Sequence, residues 1–304
     1  MTNGNSSVTD CNNSVRCVAD VRATLGEGPV WDARDGAVYW VDIKGRRIFR
    51  HDPATGALRE WEAPFQLSSL APRAAGGFVA GTERGFAFVD LDAGRFDIFA
   101  QPEADRAENR SNDGKLDARG RFWGGTMHDP KREASGALYR VDADRTVTRV
   151  DDGYRITNGP AFSLDGRRMY HSDTALQVTY VFDVDEAGRA SNRRPFLRWS
   201  EGEGHPDGMT VDADDGLWIA FWGAWVVRRY APDGRLLGTL PVPVQQPSSC
   251  AFGGPDLDRL FITSAREDLD ERQLAGQPQA GGLFVADADA IGGVRGVPTM
   301  PFAG

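Results

Sequence analysis

Six oxygen-bearing side chains recur at matching places along the chain: Glu27, Ser68, Asn112, Asn158, Asp207 and Ser248. Each opens a short apolar stretch, and none of the six is His or Cys. Taken singly, Asn, Asp and Ser before Gly are ordinary turn residues. Glu27 ahead of Gly28-Pro29 is a poor turn former, so the set calls for a joint explanation. Two carboxylates brought towards one point repel each other unless protonated or bridged by a cation. Carboxylates joined by amide oxygens make a hard shell, which suits calcium, magnesium or manganese before copper. Zinc and ferrous iron also tolerate a carboxylate-rich shell, so the residues leave the element open.

Such side chains meet only if the fold turns them to a common axis, and the repeats supply that fold. The six openings are separated by 41, 44, 46, 49 and 41 residues. After each comes a Gly or Asp turn and a second strand, as in Asp35-Gly36 before Ala37-Val38-Tyr39-Trp40-Val41-Asp42. A second strand pair with alternating apolar and polar residues follows, for example Val226-Val227-Arg228-Arg229-Tyr230 before Asp233-Gly234. A period in the forties with several short strands per unit is that of a four-stranded propeller blade. The fold class expected is therefore all-β, a six-bladed β-propeller. Its first strand in each blade lines the channel, which carries the opening residue to the axis.

The stretch Val18–Leu25 precedes the first repeat and is expected to give one strand to the last blade, closing the ring without a free sheet edge. Residues 15–304 then form one propeller domain, and residues 1–14, rich in Asn, Ser and Thr, read as a disordered tail. The only helical expectation is a short turn around Asp268–Leu274.

Composition narrows the partners. Gly 36 and Pro 17 favour turns over long helices, and the formal net charge is -9. That balance, with no basic stretch, speaks against nucleic acid and anionic membranes. No apolar run reaches the roughly 18 residues of a membrane span, and no charged leader with an apolar stretch is visible. A cytoplasmic protein acting on a neutral or weakly charged small molecule is expected; oligomeric state is not readable. Cys11, Cys17 and Cys250 form no Cys-x-x-Cys pair, and Cys250 reads as a small buried hydrophobe.

Motifs in this register carry a resemblance. Leu25-Gly26-Glu27-Gly28-Pro29-Val30-Trp31, Asn109-Arg110-Ser111-Asn112-Asp113-Gly114-Lys115, Gly124-Gly125-Thr126-Met127, Thr157-Asn158-Gly159-Pro160 and Pro206-Asp207-Gly208 resemble the senescence marker protein/gluconolactonase (regucalcin-like) family over residues 18 to 295. The wording of Asp42-Ile43-Lys44 and Thr126-Met127-His128-Asp129 is most similar to its bacterial pentonolactonases, such as xylonolactonase. The resemblance implies one divalent metal held by Glu27, Asn158 and Asp207. It implies hydrolysis of a sugar lactone, a pentono- or hexonolactone such as xylono-, arabinono- or gluconolactone, to the aldonic acid. Asp207 is then also the family's proposed base, and Arg110 and Asn112 match its substrate contacts, their fixed donors suiting sugar hydroxyls and a ring oxygen.

His128, just after the Gly124–Met127 strand, is expected to overhang the pocket as a third substrate contact. Trp222 is the tryptophan expected to line it, ahead of Trp40, Trp123 and Trp218. Asp113 has two readings, ordering its turn with Lys115 or backing the metal ligands. Two other functions fit the same scaffold: a metal-dependent ester or phosphotriester hydrolase with an apolar rim, and a non-catalytic propeller that binds proteins. The Tyr39-Trp40 pair suggests the latter, but it does not recur in other blades.

Overall fold

The alternating apolar pattern closes into six four-stranded antiparallel sheets in the computed structural model, which describes residues 14–304. The expected tail falls almost wholly outside the described residues. The innermost strands of the six blades are Gly26–Asp32, Leu67–Pro72, Asn109–Leu116, Thr157–Phe162, His205–Val211 and Pro247–Gly253. They begin where the repeats place them. Second strands such as Ala37–Asp42 and Phe122–His128 are buried along their whole length, because neighbouring blades cover both faces. Outermost strands such as Leu58–Glu62 and Leu236–Pro241 are largely exposed and carry the polar residues.

The last sheet takes its outermost strand from the other end of the chain. Val15–Ala19 pairs antiparallel with Leu283–Ala286, so both ends of the ring are tied by backbone hydrogen bonds. This closing strand lies earlier than the Val18–Leu25 expected from sequence. The reason is local: the Asp42 carboxylate accepts from the amides of Thr24 and Leu25, both at 3.0 Å, and holds that stretch as the entry to blade one. The helical expectation is met by Glu271–Gly276, capped by Asp270 and Gln273 in a reciprocal box. Among the described residues no helix is long and apolar enough to cross a membrane.

One irregularity recurs in every blade. The pairing of the innermost with the second strand slips by one residue between Glu27 and Val30, Leu67 and Ser69, Ser111 and Gly114, Asn158 and Ala161, Pro206 and Met209, and Pro247 and Ser249. An extra residue on one strand is a β-bulge, which bends the strand and re-aims a side chain. All six bulges fall at the chemical positions named above. In blades one and four the bulge contains a glycine in the left-handed region, Gly28 at φ 58 and Gly159 at φ 84, which other residues adopt only with strain.

At the opposite end of the channel, buried aspartates fix the turns between these two strands. Asp212 accepts from Trp218 Nε1 and Arg229 Nε, both at 2.7 Å, and from the Gly216 amide at 2.8 Å. Asp117 holds Trp123 Nε1 at 2.9 Å and Arg121 Nε at 2.6 Å in the same way. The C-terminal segment crosses this end, where the Phe302 amide donates to Pro72 and its ring is fully buried. Removing the Asp212 carboxylate leaves an indole N–H and a guanidinium without their acceptor. Asp212→Ala is expected to lower unfolding stability by about 2–4 kcal/mol, measured by urea denaturation. A loss below about 1 kcal/mol would show that the turn is held by other contacts.

Candidate functional site

Backbone geometry delivers the side chains to the site. The bulges turn Glu27, Asn112, Asn158 and Asp207 inward from four different blades, and all four line one pocket of ≈ 360 Å³ at the head of the channel. All four are buried, although they are polar. Arg110, from the same strand as Asn112, lines the pocket with them, and Trp222 closes one side as expected. Leu25, Met127 and Ile156 add an apolar wall, while Thr174, His205, Lys131 and Glu267 add polar groups. A cavity of ≈ 270 Å³ at the far end has a largely apolar lining that includes Trp31, Leu70, Phe162 and Phe252. Of these two cavities the upper one gathers several carboxylates, Glu27, Asp207 and Glu267.

Two of the six repeated positions stay out of the pocket. Ser248 is buried and donates to the Gly26 carbonyl and to Thr263 Oγ1. Ser68 is buried in blade two, its hydroxyl close to Gly81 of the neighbouring strand and without a hydrogen-bond partner among the described residues. His128 also departs from expectation. It is buried facing away from the pocket, with Nδ1 accepting from the amides of Arg132 at 3.2 Å and Glu133 at 3.3 Å, and Nε2 3.4 Å from Glu108. It lines a separate surface cavity with Glu108, Asn109 and Glu133. Successive side chains on a strand point to opposite faces, so Met127 enters the pocket and His128 cannot.

The pocket concentrates negative charge away from water. Glu27 is pushed up to about 8, mainly by burial and then by the Asp113 carboxylate, against the pull of the Gly28 amide, Arg110 and Lys115. Asp207 is raised well above the ordinary carboxylate range by burial, then by Glu27 and Asp113. Asp113 is raised by burial too, opposed by Lys115 and by the amides of Gly159 and Gly114. Its Oδ2 accepts from Gly159 at 2.9 Å and Oδ1 from Gly114 at 2.7 Å, so it orders the turns that carry Asn112 and Asn158. Lys115 donates to the carbonyls of Met209 and Cys250. Asp113 therefore braces its turn, with Lys115 as the nearest compensating charge below it.

Among the described residues no group of three or more His, Cys, Asp or Glu side chains has the spacing of a metal site. The candidate set is different in kind: two carboxylates and the amide oxygen of Asn158. Asn158 is oriented by its neighbours, since its Nδ2 donates to Thr174 Oγ1 at 2.7 Å and its Oδ1 accepts from Asn112 Nδ2 at 3.0 Å. A carbonyl oxygen keeps a second lone pair. Mutually repelling buried carboxylates with an oriented amide oxygen, and no nitrogen or sulfur among them, fit a hard divalent cation.

Thr174, Lys131 and Glu267 were not singled out from sequence. Thr174 and Lys131 follow second strands, Arg168–Asp173 and Phe122–His128, and Glu267 follows Arg259–Ser264. The loops between second and third strands rise at the same end of the channel as the openings of the first strands. That rule would have pointed to them.

The charge pattern has a measurable consequence. A carboxyl whose proton affinity is raised by folding makes the folded state bind the extra proton, so stability falls as pH rises between the two values. For Glu27 that window runs from 4.5 to about 8. Chelated protein is expected to lose thermal stability across this window, less so for Glu27→Gln, and added divalent cation should offset the loss. An identical pH profile for wild type and Glu27→Gln would remove Glu27 from the charge cluster.

The chain is similar to known proteins. Residues 25–266 match the family model described as the SMP-30/gluconolactonase/LRE-like region. The chain is 39% identical to L-arabinolactonase of Azospirillum brasilense, covering 94% of this chain and 95% of that one. It is 34% identical to 6-deoxy-6-sulfogluconolactonase of Pseudomonas putida, covering 92% of this chain and 97% of that one. The solved structure of a calcium-binding protein, regucalcin, from Agrobacterium tumefaciens superposes with a TM-score of 0.89 at 30% identity, covering 94% and 96% of the two chains.

Proposed function

This chain belongs to the SMP-30/gluconolactonase/LRE-like family, an ester hydrolase among lactonases, and we propose that it opens an aldonolactone to the aldonic acid with the help of one divalent cation. The observation that carries the reading is the meeting of Glu27, Asn158 and Asp207 with Arg110 and Asn112 in one pocket. Its volume suits a five- or six-carbon sugar lactone; most of its lining residues carry hydrogen-bonding groups, while the greater part of its exposed lining surface is apolar. The preference for a sugar over the apolar esters or phosphotriesters of the other hydrolase reading rests on Arg110 and Asn112 at the pocket and on the sugar lactonases among the relatives.

Glu27, Asn158 and Asp207 are the residues that would hold the cation. When bound, it would polarise the lactone carbonyl and acidify a water molecule. The chain's own groups do the rest. Arg110 presents a donor to the sugar hydroxyls and ring oxygen, and Asn112, whose amide protons are held by Thr157 and Asn158, keeps an Oδ1 lone pair to accept from a hydroxyl, fixing the lactone with its carbonyl towards Asp207. Trp222, Leu25 and Ile156 cover the apolar ring face and thin the surrounding water. Water oxygen bonds to the carbonyl carbon while its proton passes to Asp207. The ring C–O bond then breaks as the carbonyl re-forms, and the ring oxygen takes the proton held by Asp207, leaving one hydroxyl and one carboxyl group and Asp207 as it began.

The deciding experiment follows acid release from a panel of pentono- and hexonolactones in a pH-indicator assay, corrected for spontaneous hydrolysis, with chelated and cation-restored protein. Activity lost on chelation and regained with one of calcium, zinc, manganese, magnesium or ferrous iron is expected; no cation-dependent rate on any lactone would sink the proposal. Asp207→Asn is expected to lower kcat by about 10²-fold or more with cation still bound. Full activity in that loaded variant would leave Asp207 as a ligand alone.

A further inference from the structure

Asp129 and Lys44 lie outside the pocket, yet they begin a hydrogen-bonded chain that ends inside it. Asp129 follows the second strand of blade three, and Lys44 follows the second strand of blade one. The Lys44 ammonium meets both Asp129 oxygens, at 2.7 and 2.8 Å. Asp129 Oδ1 also accepts from Arg110 Nε at 2.5 Å. Arg110 Nη1 donates to the Ser111 carbonyl and to Asn112 Oδ1, both at 2.8 Å. Asn112 Nδ2 then donates to the Thr157 carbonyl at 2.7 Å and to Asn158 Oδ1. Asn158 passes the order to Thr174, whose hydroxyl donates at 2.6 Å to the carbonyl of Pro206, next to Asp207.

The direction of this chain is set at its outer end. Arginine has only donors, so the Asn112 amide must turn its oxygen to Arg110 and its nitrogen to Asn158. The Asn158 nitrogen is then left for Thr174. A carboxylate has only acceptors, so Asp129 captures Nε and leaves Nη2 as the nitrogen of Arg110 without a protein partner among the described residues. A surface pair by itself contributes little, and Lys44 and Asp129 are partly exposed, at 24% and 33% of their side chains. What they hold is not at the surface: the Arg110 side chain is 4% exposed.

We propose that Asp129, backed by Lys44, is a positioning residue of the active site, fixing the Arg110 guanidinium for the substrate and, through it, the orientations of Asn112 and Asn158. Only the kinetic readout of this proposal rests on the lactonase reading. The pair acts through Arg110, so its loss should weaken substrate binding and leave the chemistry of the bound lactone largely intact.

The test compares Lys44→Met, Lys44→Arg, Asp129→Asn and Arg110→Met, each loaded with the cation that supports activity. Asp129→Asn is expected to raise KM about tenfold and Lys44→Met about threefold, with kcat within about twofold. Lys44→Arg should restore the wild-type KM, and Asp129→Asn should add nothing further in the Arg110→Met background. Independently of activity, the NMR signal of Arg110 Nε–Hε should exchange with solvent at least about tenfold faster in Asp129→Asn. Thermal midpoints report whether each variant is folded, and Lys44→Met serves alone if Asp129→Asn is not. Unchanged KM and unchanged Hε exchange in the folded variants would overturn the proposal, as would an equal KM penalty with and without Arg110. If wild type hydrolyses no lactone, the functional reading fails while Hε exchange still decides the positioning role.

Discussion

Glu27 and Asp207 reach one buried pocket from blades one and five, with Asp113 behind them; burial raises the proton affinity of all three, Asp113 raises that of Glu27, and Glu27 and Asp113 raise that of Asp207. A cluster of this kind is costly to keep out of water, and much of the channel is arranged to contain it. The Gly28 amide donates to Glu27, the Gly159 and Gly114 amides donate to Asp113, and Lys115 sits below among carbonyls. These contacts soften the repulsion without removing it. A divalent cation in the pocket would complete the balance, and the same unpaired charge is what makes the pocket chemically useful. A sandwich of two sheets would spread such residues along a row. Only a closed ring of blades sends equivalent positions from distant parts of the chain to one axis.

The recurring bulge converts this topology into a site. Without it the regular alternation of the innermost strand would decide which side each residue faces. With one extra residue at the same place in each blade, the opening residue turns towards the channel whatever the rest of its strand requires. Blades two and six keep the bulge but carry serine, and those hydroxyls stay buried out of the pocket, Ser248 on the Gly26 carbonyl of blade one and Ser68 beside Gly81. The backbone device is therefore common to six blades, while the chemistry is confined to the four with longer or charged side chains. Glu27, Asn112, Asn158 and Asp207 differ from Ser68 and Ser248 in reach as much as in polarity.

What sequence could reveal follows from the same distinction. Features repeated with the blade period were legible, because six copies corroborate one another: the fold, the ring closure in outline, and the four inward residues. Arg110 was legible through its neighbours, and Trp222 through its place at the end of a second strand. His128 shows the limit. Its distance along the chain from the strand was right, but its face depended on parity, and one residue separates Met127 inside the pocket from His128 outside. Closure erred for a related reason, since Val18–Leu25 is apolar enough for a strand but Asp42 holds its last residues in another role. Lys131 and Glu267 belong to loops of unequal length that follow no repeat; the strand order puts these loops at the mouth of the channel but does not say which of their residues turn into the pocket.

These two kinds of element divide the work between them. First strands, buried on both sides and bulged alike, place the groups that must converge within fractions of an ångström, where a cation and a carbonyl would meet. Loops after the second strands place groups around the mouth: Lys131 and Glu267, 3.4 Å apart across blades three and six, and Thr174 between Asn158 and the strand of Asp207. Asp129 and Lys44 belong to the loops by position but reach the strands through Arg110. They join the variable rim to the fixed core. A change in the rim that altered Arg110 would therefore be felt by Asn112 and Asn158 as well, because their amide orientations are consecutive links of one directed chain. In this scaffold the outer loops and the amide orientations inside the pocket are physically coupled.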